Sequence, residues 1–358
     1  MAAGFGTRLR PSTEVCPKPL IPVAGVEPLF FAIEKLRVLG IKNVVVNSHY
    51  LPEKIQAAIN DWAPLFKGME IRVSFESPKI LGTGGGLLKI MQDHPDLFKT
   101  QGLLLQNGDT VASFDLQQLF QNPNQSTFAL SLTKEHLKKY KPLWVDGDSH
   151  YTGIGATPPT PDSRPAHFLG VHYLCNRDLK KLAAKNLAVI ECDLFNGIYK
   201  PLGLDDVHFE GIEYFAENSN DFWFDMTNTE FLLEAQRFIL DSMKRMELWP
   251  KILRARYPGI RETEPGIWIL SKNLAPQTSS VIRRYYSPAV LVESEASQSD
   301  RELGGFSLGP HASLIHTKGQ LLSKADQQAI EIRDAVVLVS SEKQSTFPSK
   351  IEGEIRVV

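Results

Sequence analysis

The sequence has no run of apolar residues near the ~20 that a helix needs to cross a bilayer, and its opening residues do not read as a secretory signal. It is poor in cysteine. Cys16, Cys175 and Cys192 are the only three, widely spaced and odd in number. That excludes a disulfide framework and a Cys-x-x-Cys metal site, and it points to a reducing, cytoplasmic setting. Neither sign of charge is in excess: 39 basic and 41 acidic residues leave a net charge of −2. Neither nucleic acid nor an anionic membrane is therefore expected as a partner. The small basic cluster Lys138-Lys139-Tyr140-Lys141 reads as a solvated helix end. Two phosphate-binding signatures are also missing. There is no Gly-x-x-x-x-Gly-Lys-Ser/Thr, and the dinucleotide fingerprint fails because Leu9 stands where its third glycine belongs.

What is present is concentrated near the start. Ala3-Gly4-Phe5-Gly6-Thr7-Arg8-Leu9-Arg10-Pro11 is followed by Pro17-Lys18-Pro19-Leu20. The glycines leave backbone N–H groups room to wrap an anion. Arg8 adds a forked cation, and Lys18, held between two prolines, adds a point cation. Such a set suits polyphosphate. The stretch closely resembles the opening of the sugar-nucleotide pyrophosphorylases, the NDP-sugar synthases acting on sugar 1-phosphates. In look it is nearest to members that transfer uridylyl or guanylyl groups to N-acetylmuramate or mannose 1-phosphate. In that family a buried strand precedes the first glycine loop, whereas here Met1 falls where that strand's last residue belongs. A start codon further upstream is expected.

Further along, apolar periodicity alternates between helix and strand. Residues 28–39 and 52–62 read as helices, and 44–47, 71–75 and 103–105 as buried strands. A helix over 87–91 is expected to follow a second glycine loop. The fold expected is α/β, a doubly wound, mostly parallel sheet of the Rossmann-like nucleotidyltransferase kind. Strands and turns dominate 128–174, and 228–246 reads as a long helix. Beyond about 250 the composition becomes β-rich. Leu308-Gly-Pro-His-Ala-Ser-Leu314 and Ile332-Arg-Asp-Ala-Val-Val-Leu338 have the six-residue apolar spacing of a left-handed β-helix, with a plain β-rich cap as the alternative. Two domains are expected, 1–250 for nucleotidyl transfer and 251–358 as the smaller β-rich region.

The resemblance implies attack of a sugar 1-phosphate oxygen on the α-phosphorus of a nucleoside triphosphate, with pyrophosphate leaving and Mg2+ as cofactor. It places Arg8 and Lys18 on the phosphates, with Ala3, Gly4, Gly6 and Thr7 forming the amide cradle. Asp109, after Gln106-Asn107-Gly108 at a strand end, resembles the family's metal aspartate; a capping Asp in an Asn-Gly turn is the alternative. Asp225, in Trp223-Phe-Asp225-Met-Thr-Asn-Thr-Glu230, resembles its partner in Trp-x-Asp-x-Gly-Thr-Pro-Glu. Thr227, Asn228 and Thr229 replace Gly-Thr-Pro, although Asn228 can still cap the following helix. Gly82, Thr83, Gly84 and Gly85 in Leu-Gly-Thr-Gly-Gly-Gly resemble the loop that lies against base and ribose, and Gln106 is a further nucleotide contact. Asn107, Gly170 and Glu191 are the sugar-side candidates. Asn47 and His49 also have counterparts in the family, with a structural imidazole the preferred reading for the histidine.

The substrates implied are a nucleoside triphosphate and a sugar 1-phosphate, and any homo-oligomer is expected to form through the C-terminal region. A second reading is a catalytically weak paralogue serving as a regulatory or scaffold subunit. A nicotinamide-dependent dehydrogenase fits the α/β pattern but lacks the fingerprint glycine.

Overall fold

The computed structural model describes residues 1–99, 102–199, 209–215, 221–243 and 245–264, and beyond them a series of β-strands between 267 and 357. Its helices are α1 (Ser12–Val15), α2 (Pro28–Val38), α3 (Pro52–Trp62), α4 (Gly82–Asp93), α5 (Lys134–Lys139), α6 (Asn176–Ala184), α7 (Thr229–Ser242) and α8 (Leu248–Arg256). The strands up to residue 225 are β1 (Asn43–Ser48), β2 (Glu70–Phe75), β3 (Leu103–Gln106), β4 (Thr110–Ala112), β5 (Ser126–Ser131), β6 (Leu143–Val145), β7 (Tyr151–Ile154), β8 (Arg164–Leu174), β9 (Phe209–Tyr214) and β10 (Trp223–Asp225). The chain weaves two compact units from separate stretches. One takes Met1–Gly4, Leu36–Pro52 and Gly68–Trp223; the other takes Phe5–Lys35, Glu53–Lys67 and Phe224–Val358.

The first unit is α/β. β1 and β2 pair in parallel, Asn43 beside Glu70 through Ser48 beside Phe75. β8 is the organising strand of the larger sheet, running antiparallel to β3, β5 and β6, while β5 and β9 run parallel. Every residue of β5 is buried, and its alternation serves two cores. Phe128 and Leu130 join Leu105, Val145, Leu174, Tyr199 and Phe209 in one cluster. Ala129 joins Phe114, Leu119, Val171 and Trp223 in the other. No described strand lies between β1 and β3. Met1 and Ala2 tie these elements together, because Met1 donates to Gln106 O, Gly108 N donates to Met1 O, and Ala2 N donates to the Asn47 side chain. The two bonds at Met1 form the slanted pattern of a parallel ladder.

In the second unit α3 buries Ile55, Ile59 and Trp62, the spacing of one helical face. Phe30 packs on Trp62 and Phe66, and Phe31 stacks on Trp249. Arg256 makes a two-pronged ion pair with Glu27 at 2.8 Å on each arm, and its guanidinium lies over the rings of Tyr257, Phe30 and Trp62.

The strands beyond residue 260 are β11 (Arg261–Glu264), β12 (Ile267–Leu270), β13 (Arg283–Tyr285), β14 (Ala289–Glu293), β15 (Phe306–Leu308), β16 (Ala312–His316), β17 (Leu321–Ser323), β18 (Ile330–Arg333), β19 (Val336–Val339), β20 (Ser345–Phe347), β21 (Lys350–Glu352) and β22 (Ile355–Val357). β11 and β12 pair antiparallel, and from β12 onward consecutive strands fall in different sheets. β12, β14, β16, β19 and β22 stack in one, β13, β15, β18 and β21 in a second, and β17 and β20 in a third, all in parallel. This is the winding of a parallel β-helix, as the apolar spacing predicts. The two stretches that carry that spacing lie on one another, with Leu308 beside Ile332 and Leu314 beside Val337. Among the described residues no helix is long and apolar enough to cross a membrane.

Candidate functional site

The second glycine run is not a loop. Gly82 opens α4 with φ of +69°, and Gly84, Gly85 and Gly86 lie inside the helix. Glycine is a poor helix former, so tertiary packing must explain it. A Cβ on Gly82 would stand 2.6 Å from Cys192 O, one on Gly84 2.6 Å from Asp193 O, and one on Gly85 2.1 Å from Ile190 O. The 190–194 segment clasps the helix start by hydrogen bonds as well. Cys192 N donates to Leu81 O, Gly84 N and Gly85 N donate to Cys192 O, and Leu194 N donates to Thr83 Oγ1. These two glycine amides are thus engaged within the protein. Glu191 is exposed, and Asp193 accepts from Asn196 N at 2.8 Å, capping the turn Phe195–Tyr199.

Gly86 has a different neighbour. Its Cβ would meet Glu76 Oε1, Asn47 Nδ2 and Met1 Cε at 2.7, 3.0 and 3.0 Å. Glu76 is 3% exposed, yet both carboxylate oxygens have donors: Asn47 Nδ2 on one and Leu81 N on the other, each at 2.7 Å. His49 Nδ1 bonds Glu76 O at 2.8 Å, an imidazole satisfied by backbone. Ala3 is buried, whereas Gly4 is exposed and a Cβ there would meet nothing within 4 Å.

At the carboxyl end of β3 the candidates lie in succession. Gln106 Oε1 is buried and has no hydrogen-bond partner among the described residues, an acceptor for which a polar ligand would compensate. Asn107 N donates to Gly170 O at 2.9 Å, and Gly170, with φ of +77°, has no space for a Cβ because Asn107 Nδ2 would be 2.8 Å away. This gives the glycine in β8 its reason. Gly108 is buried and bound to Met1 O, and half-buried Asp109 closes the turn before β4. Trp223 reaches the same strand as Gly170, its indole donating to Leu169 O at 2.9 Å.

In the second unit, Gly6 has φ of +61° and opens a single 3₁₀ turn, Thr7–Leu9. A side chain at Gly6 would strike Thr13 Cγ2 and Lys18 Cβ at 2.8 and 3.0 Å. Leu9 N donates to Gly6 O, so the N–H groups of Thr7 and Arg8 precede the turn's first internal bond. Both residues are exposed. Thr13 Oγ1 donates to Gly6 O and braces the turn.

Lys18 starts another 3₁₀ turn, Lys18–Leu20. Its Nζ lies 3.4 Å from Asp225 Oδ1, with the side chains 13% and 23% exposed. Thr227 Oγ1 donates to Asp225 Oδ2 in a short bond, and Thr227 N donates to Asp225 O at 2.7 Å. Asn228 caps α7, accepting from Phe231 N at 2.9 Å. The departures from Gly-Thr-Pro therefore build their own turn, with Thr227 orienting the carboxylate. Nothing in the sequence pattern marks Thr227 for that role. Asp109 and Asp225 offer hard oxygen donors of the kind Mg2+ takes. Among the described residues no group of three or more His, Cys, Asp or Glu is placed to hold a metal.

Comparison with known proteins agrees with these motifs. Residues 1–139 match the model of the nucleotidyl transferase family. The mannose-1-phosphate guanylyltransferase of Mycobacterium tuberculosis is 33% identical over 137 residues, 37% of this chain and 36% of that protein. The UTP–glucose-1-phosphate uridylyltransferase of Synechocystis is 26% identical over 281 residues, 75% of this chain and 67% of its own. The N-acetylmuramate α-1-phosphate uridylyltransferase of Neisseria meningitidis is 30% identical over 163 residues, 46% and 64% respectively. The chain thus spans from about a third to two thirds of the length of these relatives. A solved structure from Bacillus anthracis, described as a glucose-1-phosphate thymidylyltransferase, superposes with a TM-score of 0.52 at 18% identity, covering 65% of this chain and 91% of that one, which establishes a shared fold. Over residues 1–139 the chain is similar to the nucleotidyl transferase family, and over part of its length to sugar-1-phosphate guanylyl- and uridylyltransferases.

Proposed function

We propose that the protein joins a nucleoside triphosphate to a sugar 1-phosphate, giving an NDP-sugar and pyrophosphate. The observation that carries this reading is the pairing of Lys18 with Asp225, 207 positions apart, both in motifs shared with the family. The relatives are enzymes of this class, which supports the catalytic reading over a scaffold subunit.

In the proposed reaction a phosphate oxygen of the sugar 1-phosphate forms a bond to the α-phosphorus, and the bond from that phosphorus to the β-phosphate oxygen breaks. The nucleophile is already an anion, so no base is needed. The barrier is electrostatic, and positioning with cations lowers it. Exposed Arg8 and the amides of Gly6 and Thr7 are assigned to the leaving pyrophosphate. Lys18, oriented by Asp225, is assigned to the α-phosphate. Ala3, Gly4, Gly82, Thr83, Gly84, Gly85 and Gln106 are assigned to the nucleotide, with Gln106 Oε1 an open acceptor. Asn107, Gly170 and Glu191 are assigned to the sugar. Asp109 and Asp225 would hold a Mg2+ ion, which neutralises phosphate charge when bound.

The relatives named for guanylyl and uridylyl transfer make GTP and UTP the first nucleotides to test. The same proposal takes 1–250 as the transferase portion and 251–358 as the β-rich portion through which copies assemble, in the cytoplasm. Pyrophosphate release with Mg2+ across UTP, GTP, dTTP, CTP and ATP and a panel of sugar 1-phosphates tests it. Release with one pair names the substrates; no release with any pair from folded protein overturns the reading.

A further inference from the structure

Ala2, Asn47, Glu76 and Leu81 form one continuous hydrogen-bond chain inside the first unit. Ala2 N donates to Asn47 Oδ1 at 2.6 Å, Asn47 Nδ2 to Glu76 Oε1 at 2.7 Å, and Leu81 N to Glu76 Oε2 at 2.7 Å. Asn47 and Glu76 are 2% and 3% exposed. A carboxylate at that depth is costly unless each oxygen is satisfied, and here neutral donors satisfy both. The ends of the chain are informative. Ala2 precedes the Ala3-Gly4 segment, and Leu81 precedes Gly82, so the chain links the two glycine-bearing segments assigned to the nucleotide. Gly86 packs on its middle, leaving no space for a methyl group beside Glu76 Oε1. Beyond Ala2 the link continues, because Met1 O accepts from Gly108 N at 2.8 Å, next to Asp109.

We propose that Asn47 and Glu76 are positioning residues that hold the start of the chain and the Leu81–Gly86 segment at one fixed spacing, so that both loops meet the nucleotide together. The proposal rests on the assignment of these loops to the nucleotide. Neither side chain touches the reacting atoms; each acts through backbone N–H groups that it fixes.

The test is hydrogen exchange in the full chain, read by mass spectrometry on peptides spanning 81–86 and 104–112, beside steady-state kinetics. Glu76→Gln keeps the side chain's shape and an oxygen for Asn47, but turns an amide toward Leu81 N. Asn47→Asp keeps the acceptor for Ala2 and sets a second carboxylate against Glu76. In each variant, exchange should accelerate in both peptides, although Gly108 is bonded to neither mutated residue. KM for the nucleotide should rise about tenfold, the equivalent of one lost hydrogen bond, while kcat stays within about threefold. Acceleration confined to 81–86 in Glu76→Gln would overturn the coupling, as would equal losses in kcat with KM unchanged. The exchange readout needs no turnover, so a chain that releases no pyrophosphate defeats the functional assignment alone and the exchange result still decides the coupling. If Glu76→Gln does not fold, Glu76→Asp, which withdraws the acceptor by one methylene, is read in the same way.

Discussion

Lys18 Nζ lies 3.4 Å from Asp225 Oδ1, and Thr227 holds the other carboxylate oxygen. The contact is a single prong at that length, and an ion pair of this kind contributes no more than about 1 kcal/mol to stability. Under the proposed function the pair orients Lys18 toward the phosphates. Lys18→Ala and Asp225→Asn should each lower kcat/KM by roughly 10²–10³, with little change in the denaturation midpoint. An unfolding shift as large as the kinetic loss would make the pair structural.

Glu27 and Arg256 tell the opposite story. Their side chains are about as covered as those of Lys18 and Asp225, but the contact is two-pronged at 2.8 Å and the guanidinium is enclosed by three aromatic rings. Glu27→Ala strands a charge among those rings and should cost about 3–5 kcal/mol in urea unfolding. A loss below about 1 kcal/mol would show that water reaches Arg256 on truncation.

Gly85 cannot carry a side chain without displacing the 190–194 segment, since its Cβ would fall 2.1 Å from Ile190 O. Gly85→Ala should destabilise by about 1–3 kcal/mol and raise KM for the nucleotide. Unaltered stability and KM would mean that the segment gives way freely.

His167 and His172 are both buried, and burial pulls each imidazole down to about 3. The unfolded imidazole takes its proton near pH ~6.5. Between these values the unfolded state binds more protons, so stability is full above about 6.5 and is lost as pH falls toward 3. The slope should be about 1.4 kcal/mol per pH unit for each histidine. Neither ring nitrogen of His167 has a hydrogen-bond partner among the described residues, and the ring stacks on Tyr140 at 4.2 Å. His167→Phe should therefore be neutral or stabilising at about pH 7 and should flatten the acid slope in urea titrations run from neutral pH downward. A steeper slope would contradict the burial argument.

Much of this was legible from residues alone, and the exceptions have physical causes. The Asn228 cap and the places of the strands follow from side-chain chemistry and periodicity, but β1, β2 and β3 are only partly buried, against the expectation of buried strands. The stacked coil follows from apolar spacing, and Leu308 and Ile332, which each open one six-residue interval, lie side by side in parallel strands. The start of α4 was not legible. Glycine has low helix propensity and no side chain to show a period, so Gly82–Gly86 read as a loop until the approach of residues 190–193 explained them. The long predicted helix over 228–246 instead stops at Ser242, and α8 begins separately at Leu248. The Lys18–Asp225 pair was not legible: motif resemblance gives one residue to the phosphates and the other to a metal, and no local spacing connects residues so far apart.

The clasp between the 190–194 segment and the start of α4 also bears on engineering. Thr83 and Leu194 are 111 positions apart, yet the backbone path of one determines which residues the other tolerates. A loop transplanted from a relative to change base preference would bring a foreign outline against Ile190–Asp193. The two stretches form a single exchangeable cassette, and a chimera that moves either one alone inherits a mismatch at every glycine between 82 and 85.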